Sequence, residues 1–299
     1  MSDPQRSADR GGNASETGTP VSASGASEMG TPVSASGIAA APAKPRDLAG
    51  GTRPEGRRIL GMRVDATSYE ETTAAVLDMA RSGRGGMVCV STTHMAMEAF
   101  DSPEFRRIVN AAERVTPDGV PLVWALRALG VAGASRVYGP ELMPALCAAA
   151  ERDGVPVGLL GGSENVLGRL QQRLRARYPR LLIPFAWAPP FRPLAEEEDA
   201  RVTDAIESAE VGVLFVGLGC PKQERWMAAH RERLSCALVG VGAAFDFLAG
   251  AKRQAPRWMM RAGLEWLFRL ACEPRRLWRR YLLGNARFLY HFLLRGNPC

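Results

Sequence analysis

The chain has 299 residues, 46% of them hydrophobic, and a formal net charge of +7, which is enough apolar material for one large α/β domain with appendages. No run of about eighteen uninterrupted apolar residues exists to span a bilayer, and no apolar core follows a basic start as in a secretory signal, so a cytosolic protein is expected. Six cysteines (Cys89, Cys147, Cys220, Cys236, Cys272, Cys299) form no CxxC pair and three histidines (His94, His230, His291) have no metal-ligand spacing, so the cysteines read as small buried hydrophobes rather than a disulfide frame or zinc site.

The first 51 residues are rich in Ser, Ala, Gly, Thr and Pro, and GTPVSASG at Gly18 to Gly25 recurs at Gly30 to Gly37. Such a segment cannot bury enough surface to offset chain entropy, so a disordered tail is expected over 1–51. A short strand follows at Arg58 to Val64, then a helix from about Tyr69 to Ser82. Met87 to Ser91 is the next buried strand, ending in Thr92, Thr93 and His94, with a helix beginning at Met95 and another over Pro103 to Ala112. In ERVTPDGVPLVW, Asp118 stands between a short apolar strand and a helix from Pro121 to Leu129. It reads either as a helix N-cap or, at a strand's carboxyl end, as a general base.

SRVYGPELM brings Arg136 and Tyr138 into a loop before a helix from Glu141 to Ala150. Val155 to Gly162 is a glycine-ended strand, Ser163 a candidate cap for a helix from Glu164 to Arg177, and Leu181 to Trp187 a further strand. GLLGGSEN is a weak nucleotide-loop signal, because the dinucleotide fingerprint is absent. The acidic run Glu196 to Asp199 suits the N-terminus of the next helix better than a metal.

The most informative stretch is EVGVLFVGLGCPKQERW, Glu210 to Trp226. Its apolar run suits a parallel strand buried on both faces. Gly217 and Gly219 then release the backbone, and Pro221 is suited to a helix's first turn, with Lys222, Gln223 and Glu224 on that turn. In open α/β sheets ligands bind at the carboxyl ends of the strands, and helix N-termini suit phosphates, so this turn is expected to face a phosphorylated ligand, the alternative being an ordinary solvated turn. After Ala237 to Gly242, one more strand, the body reads as a doubly wound, mostly parallel α/β sheet over 52–256.

From Gly250 onward eleven basic residues face only Glu265 and Glu273. A basic tail on a near-neutral body points to an anionic partner. The appendage at 257–299 mixes Arg with Trp, Tyr and Phe in amphipathic stripes: Trp258, Leu264, Leu267 and Leu270 in one, Leu277, Tyr281, Leu282, Phe288, Leu289 and Phe292 in another. Helices closing the sheet and an interfacial membrane anchor both fit this pattern.

Taken in order, TPDGVPLVW, RVYGPELM, LLGG, VGLGCPKQERW, GVGAAFDFLAG, RAGLEWLFRL and EPRRLWRRY resemble the WecG/TagA/CpsF family of bacterial glycosyltransferases from about Arg58 to Phe292. The resemblance implies a cytosolic, peripheral membrane enzyme on the inner face of the plasma membrane. Its implied reaction moves one sugar, of hexosyl or N-acetylmannosaminyl type, from a UDP-sugar to a polyprenyl-diphosphate-linked sugar, in wall or exopolysaccharide synthesis. It implies inversion, no cofactor and no essential metal; the sequence has no DxD pair. By resemblance Asp118 is the catalytic base, Arg136 holds a phosphate or sugar carboxylate, and Thr92, Thr93, Gly217, Gly219, Lys222, Gln223 and Glu224 line the donor and acceptor site. Arg275, Arg276, Arg279 and Arg280 are the candidates for clasping diphosphates and touching an anionic membrane. Many members carry an Asn where Thr92 stands, a departure that bears on sugar and acceptor choice. The expected partners are therefore a nucleotide sugar, a lipid-linked acceptor, the membrane surface and a second copy of the chain, rather than nucleic acid. Two other classes fit less well: a nicotinamide-dependent oxidoreductase would need GxGxxG with an acidic ribose ligand, which the sequence lacks, and a nucleic-acid-binding protein gives Asp118 and the PKQE turn no role.

Overall fold

The computed structural model describes residues 54–294; the tail expected at 1–51 with its repeat, Arg295 and Cys299 lie outside them. The segment expected as one strand over 58–64 is instead a hairpin, β1 (Gly56–Ile59) and β2 (Met62–Asp65), paired antiparallel. Leu60 and Gly61 form the turn with φ of 53° and 81°, the left-handed pair that a two-residue hairpin loop requires. The helix α1 (Tyr69–Arg81) follows, started by a capping box in which Ser68 and Glu71 satisfy each other's backbone amides.

The remaining strands are β3 (Gly86–Ser91), β4 (Arg114–Pro117), β5 (Val157–Gly161), β6 (Phe185–Trp187), β7 (Val213–Gly217) and β8 (Ala237–Gly240). They pair in parallel in the spatial order β4–β3–β8–β7–β5–β6. Of the strand expected over 181–187 only its last three residues pair. Successive residues point to opposite faces, and both faces are apolar: Met87, Cys89, Leu214, Val216 and Leu238 enter one core, Val88, Val90, Val213, Phe215 and Val239 the other. That is the pattern of a sheet covered on both sides.

The intervening helices are α2 (Thr93–Asp101), α3 (Pro103–Asn110), α4 (Val120–Ala128), α5 (Gly139–Asp153), α6 (Glu164–Arg177), α7 (Glu196–Ser208), α8 (Lys222–His230) and α9 (Ala244–Leu248). Ser102 and Ser163 cap α3 and α6 as side-chain acceptors. Glu196 to Asp199 occupy the first turn of α7, where a negative charge meets the positive end of the helix dipole.

The sheet's edge and its amino end are held by polar contacts. Asp65 Oδ2 accepts from the Val115 amide at 2.8 Å, so the hairpin covers β4 as an edge strand. At the amino ends of β3 and β4, Glu113 and Arg231 pair at 2.6 Å with exposures of 1% and 2%, and Glu113 also accepts from the Met87 amide at 2.6 Å. This pair lies at the opposite end of the sheet from the cavities described below.

After α9 the chain forms α10 (Arg257–Arg261), α11 (Glu265–Cys272), α12 (Pro274–Trp278), a π-helical turn (Arg279–Leu283) and α13 (Gly284–Leu294). Leu277 and Phe288 are buried, whereas Leu282 and Leu289 of the same expected stripe are half exposed. The segment is pinned to α2 by Thr93, whose hydroxyl meets Asn285 Oδ1 at 3.0 Å, and by Arg287, which bridges both Asp101 oxygens. One side of the appendage therefore closes the body while the other remains apolar and uncovered. No helix of the described residues is long and apolar enough to cross a membrane.

Candidate active site

Asp118 is held by the strand ladder itself. Ser91 O accepts from the amides of Asp118 and Gly119 at 2.9 and 3.2 Å, which fixes the residue one step beyond β4. The Val137 amide donates to Pro117 O at 3.0 Å, laying Arg136 and Tyr138 beside it. The N-cap of α4 is Gly119, without a side-chain cap bond, so the capping alternative for Asp118 does not hold. Its carboxylate instead meets Arg136 Nη2 at 3.1 Å, and its carbonyl accepts from Arg136 Nε.

Arg136 also meets Glu265 Oε2 at 2.7 Å and lies 4.2 Å above the Tyr138 ring. Its guanidinium is thus engaged by two carboxylates, and the residue lines the smaller cavity. Burial raises the proton affinity of Asp118 to a pKa of about 6; Arg136 opposes this and the Glu265 charge adds to it. A carboxylate so tuned is ionised at neutral pH yet takes a proton readily, as a general base must.

Two cavities meet at this residue. The larger, about 250 Å³, opens at the carboxyl ends of β3, β8 and β7, and the smaller, about 100 Å³, lies toward Trp266 and Asn285; Thr92, Asp118, Tyr138 and Arg269 line both. Lys252, Arg269, Arg276 and Arg280 face the larger cavity against Asp118 and Asp246. Lys252 is shared by Asp246 and Glu273 at 2.9 and 3.3 Å, and Arg276 pairs with Glu273. Among the described residues Arg269 and Arg280 meet no carboxylate within 4 Å, and Arg280 Nε is buried without a hydrogen bond. Burial lowers the proton affinity of Arg280, and Arg269 and Arg276 lower it further. Unpaired, crowded guanidinium groups around a polar cavity are the signature of a site for a multiply charged anion.

Comparison with known protein families matches residues 57–297 to the family described as Glycosyl transferase WecG/TagA/CpsF. The chain belongs to that family. A WecG/TagA/CpsF member is a glycosyltransferase of cell-surface polysaccharide synthesis, and the family implies a nucleotide-sugar donor and a lipid-linked acceptor.

The other expected site residues of this family member fall into two groups. Thr92, Gly217, Gly219 and Gln223 line the larger cavity, and Thr93 the smaller. Gln223 shapes the turn after β7: its Oε1 accepts from the Gly219 amide at 3.2 Å, where φ is +80°, and its Nε2 donates to Glu224 at 2.6 Å. Gly217 admits the Phe245 ring, which a Cβ would approach to 2.8 Å. Glu224 is fully buried, and burial raises its proton affinity; it supports Gln223 and does not line either cavity. Lys222, Arg275 and Arg279 are exposed and line neither cavity. The GLLGG turn is also outside the cavities: a Cβ at Gly161 would come within 2.6 Å of Gly217 backbone atoms, so Gly161 serves the close approach of β5 and β7.

Cys89, Cys147 and Cys236 are buried as expected of small hydrophobes, whereas Cys272 is exposed. His94 is kept neutral, its pKa lowered to about 4 by burial and by Arg280. No group of three or more His, Cys, Asp or Glu side chains is gathered to hold a metal ion among the described residues. Sequence reasoning did not single out Lys252, Arg269, Asp246 or Glu265 as site residues. Each lies in or beside the motifs GVGAAFDFLAG and RAGLEWLFRL, but only the docking of the appendage reveals what they face.

Proposed function

We propose that this glycosyltransferase is inverting and metal-independent, moving one hexosyl or N-acetylmannosaminyl unit from a UDP-sugar to a polyprenyl-diphosphate-linked sugar during exopolysaccharide or wall synthesis. The observation that carries the reading is Asp118, a carboxylate of raised proton affinity shared by two cavities, one of them ringed by four cations. The donor diphosphate fits the larger cavity and the acceptor sugar the smaller. Asp118 takes the proton of the acceptor hydroxyl as that oxygen attacks the anomeric carbon from the face opposite UDP. The bond between the anomeric carbon and the phosphate oxygen breaks, and both bonding electrons leave with UDP. Arg269, Arg276, Arg280 and Lys252 meet the charge developing on that oxygen, the part a divalent metal plays in other transferases. Direct displacement by one base inverts the anomeric configuration.

Peripheral attachment to the inner face of the plasma membrane is supported by the appendage, where Trp258, Trp278, Leu282, Leu283, Leu293 and Leu294 are exposed beside Arg275 and Arg279. Apolar and basic side chains together suit an anionic bilayer surface. The test is mass spectrometry of products formed from a panel of UDP-sugars and a lipid-diphosphate sugar, with and without EDTA. One sugar added with inverted configuration and undiminished by EDTA is the expected result. No transfer from any UDP-sugar, or loss under EDTA restored by Mg²⁺ or Mn²⁺, would overturn the reading.

A further inference from the structure

Glu265 stands on the first turn of α11, yet its carboxylate is spent on the body of the protein. Oε2 accepts from Arg136 Nη2 at 2.7 Å, and Oε1 accepts from the Tyr138 hydroxyl at 3.1 Å. The Glu265 side chain is 13% exposed and Arg136 21%, so this pair is largely removed from water. Arg136 Nη2 is shared between Glu265 and Asp118, and the cluster of two carboxylates and one guanidinium is left one negative charge in excess. A contact that only fastened the appendage would be better served by an uncharged side chain, because a second carboxylate in this setting costs stability.

We propose that Glu265 is a positioning residue: delivered by the C-terminal segment, its carboxylate fixes Arg136 and through it Asp118, so that the base is set only when that segment is docked. The inference rests on the assignment of Asp118 as base. Without Glu265 the guanidinium is free to turn wholly onto Asp118, which both misdirects the carboxylate and weakens it as a proton acceptor. The docked segment therefore supplies one of the charges that keep the base strong, and a chain with the segment lifted off loses it.

The other groups around Asp118 do not substitute for that charge. Arg136 and Tyr138 come from the loop before α5, the Gly139 amide from its first turn, Tyr69 from α1, Arg269 from α11 and Tyr281 from the π-helical turn. Across the larger cavity stand Arg276, Arg280 and Lys252 and one further carboxylate, Asp246, which is paired with Lys252 at 2.9 Å; Glu265 is the carboxylate that shares Arg136 with Asp118. Arg136 and the Gly139 amide pull the proton affinity of Asp118 down, and Glu265 pushes it up. Removing the Glu265 charge therefore lets Asp118 ionise at lower pH.

The experiment uses the full chain with Glu265→Gln, which keeps the shape, Glu265→Asp, which keeps the charge, and Asp118→Asn as the test of the base itself. Transfer is followed against pH together with backbone amide exchange over 265–272. In Glu265→Gln we expect kcat to fall about tenfold or more, as for a misaligned catalytic group, and the acidic limb of kcat/KM to move to lower pH. The donor KM stays within about threefold, because Lys252, Arg276 and Arg280 lie outside 265–272 and keep their places around the larger cavity. Exchange over 265–272 quickens, and Glu265→Asp recovers part of both effects. A wild-type pH profile in Glu265→Gln, or lower activity with the acidic limb unmoved, would overturn the proposal, the second result marking Glu265 as a packing residue of the appendage. Near-normal turnover of Asp118→Asn is a separate outcome, which removes the base assignment and this inference with it.

Discussion

Replacing Asp118 by Asn should stabilise the protein while disabling it. The native carboxyl has a pKa of about 6 against an ordinary value of 3.8, chiefly because burial penalises its charge. A difference of about two units corresponds to a ceiling of about 3 kcal/mol at about 1.4 kcal/mol per unit. At pH 8 the group is ionised in both folded and unfolded chains, so the folded state bears the whole cost. As pH falls through 6 toward 3.8 the folded state takes up the proton first and the cost is relieved; below 3.8 both states are protonated and it vanishes. Asn carries no such cost at any pH. At pH 8 the variant should therefore unfold later by about 1–3 kcal/mol, a rise in Tm of about 2–10 °C for a domain of this size. The gain should shrink to about 0.5 kcal/mol or less near pH 4. Turnover should fall about a hundredfold or more for loss of a general base, while UDP still binds to the cations. Thermal melts from pH 4 to 8, with titration calorimetry of UDP, measure all three. A variant less stable than wild type at pH 8, or a gain independent of pH, would refute the reasoning from burial.

The four arginines of the appendage should separate into two pairs. Arg276 and Arg280 line the larger cavity, so Arg276→Ala with Arg280→Ala should weaken UDP binding about tenfold or more, as loss of charge-assisted contacts does, with vesicle binding less affected. Arg275→Ala with Arg279→Ala should leave UDP binding in place and weaken sedimentation with anionic vesicles about thirtyfold, at about 1 kcal/mol per basic residue. The reverse pattern would exchange their roles, and circular dichroism controls for folding. Glu113→Ala, which strands Arg231 in the interior, should cost about 3–5 kcal/mol in urea unfolding; a cost below about 1 kcal/mol would show that the pair is not a fold determinant.

The alternation of buried apolar strands with helices was legible because side-chain periodicity is a local property. MVCV and VLFV are apolar at every position, and a parallel sheet covered on both faces buries every one of them. The pattern over Arg58 to Val64 suggests one strand where the structure has a hairpin, because its turn depends on a left-handed φ at Leu60, a residue type that does not advertise one. Composition alone suggests a strand over Leu181 to Trp187, but only Phe185–Trp187 pair, since pairing partners decide how many residues join a sheet.

The sequence by itself placed Asp118 and the PKQE turn at the carboxyl edge of the sheet, because that is where a polar cluster at the end of an apolar parallel strand must lie. Resemblance to the family's motifs extended that to the donor, the acceptor and the arginine segment. What only the tertiary structure decided is which charges meet. Arg136, at the rim of the smaller cavity, is the partner of two carboxylates, and Glu265, 147 positions from Asp118 in the sequence, is its neighbour across that guanidinium. Lys222, Arg275 and Arg279 fell outside the cavities although their neighbours line them. The physical reason is range: hydrophobic periodicity is written between residues a few positions apart, whereas the energy of a buried charge depends on every group within a few ångströms, whichever part of the chain delivers it.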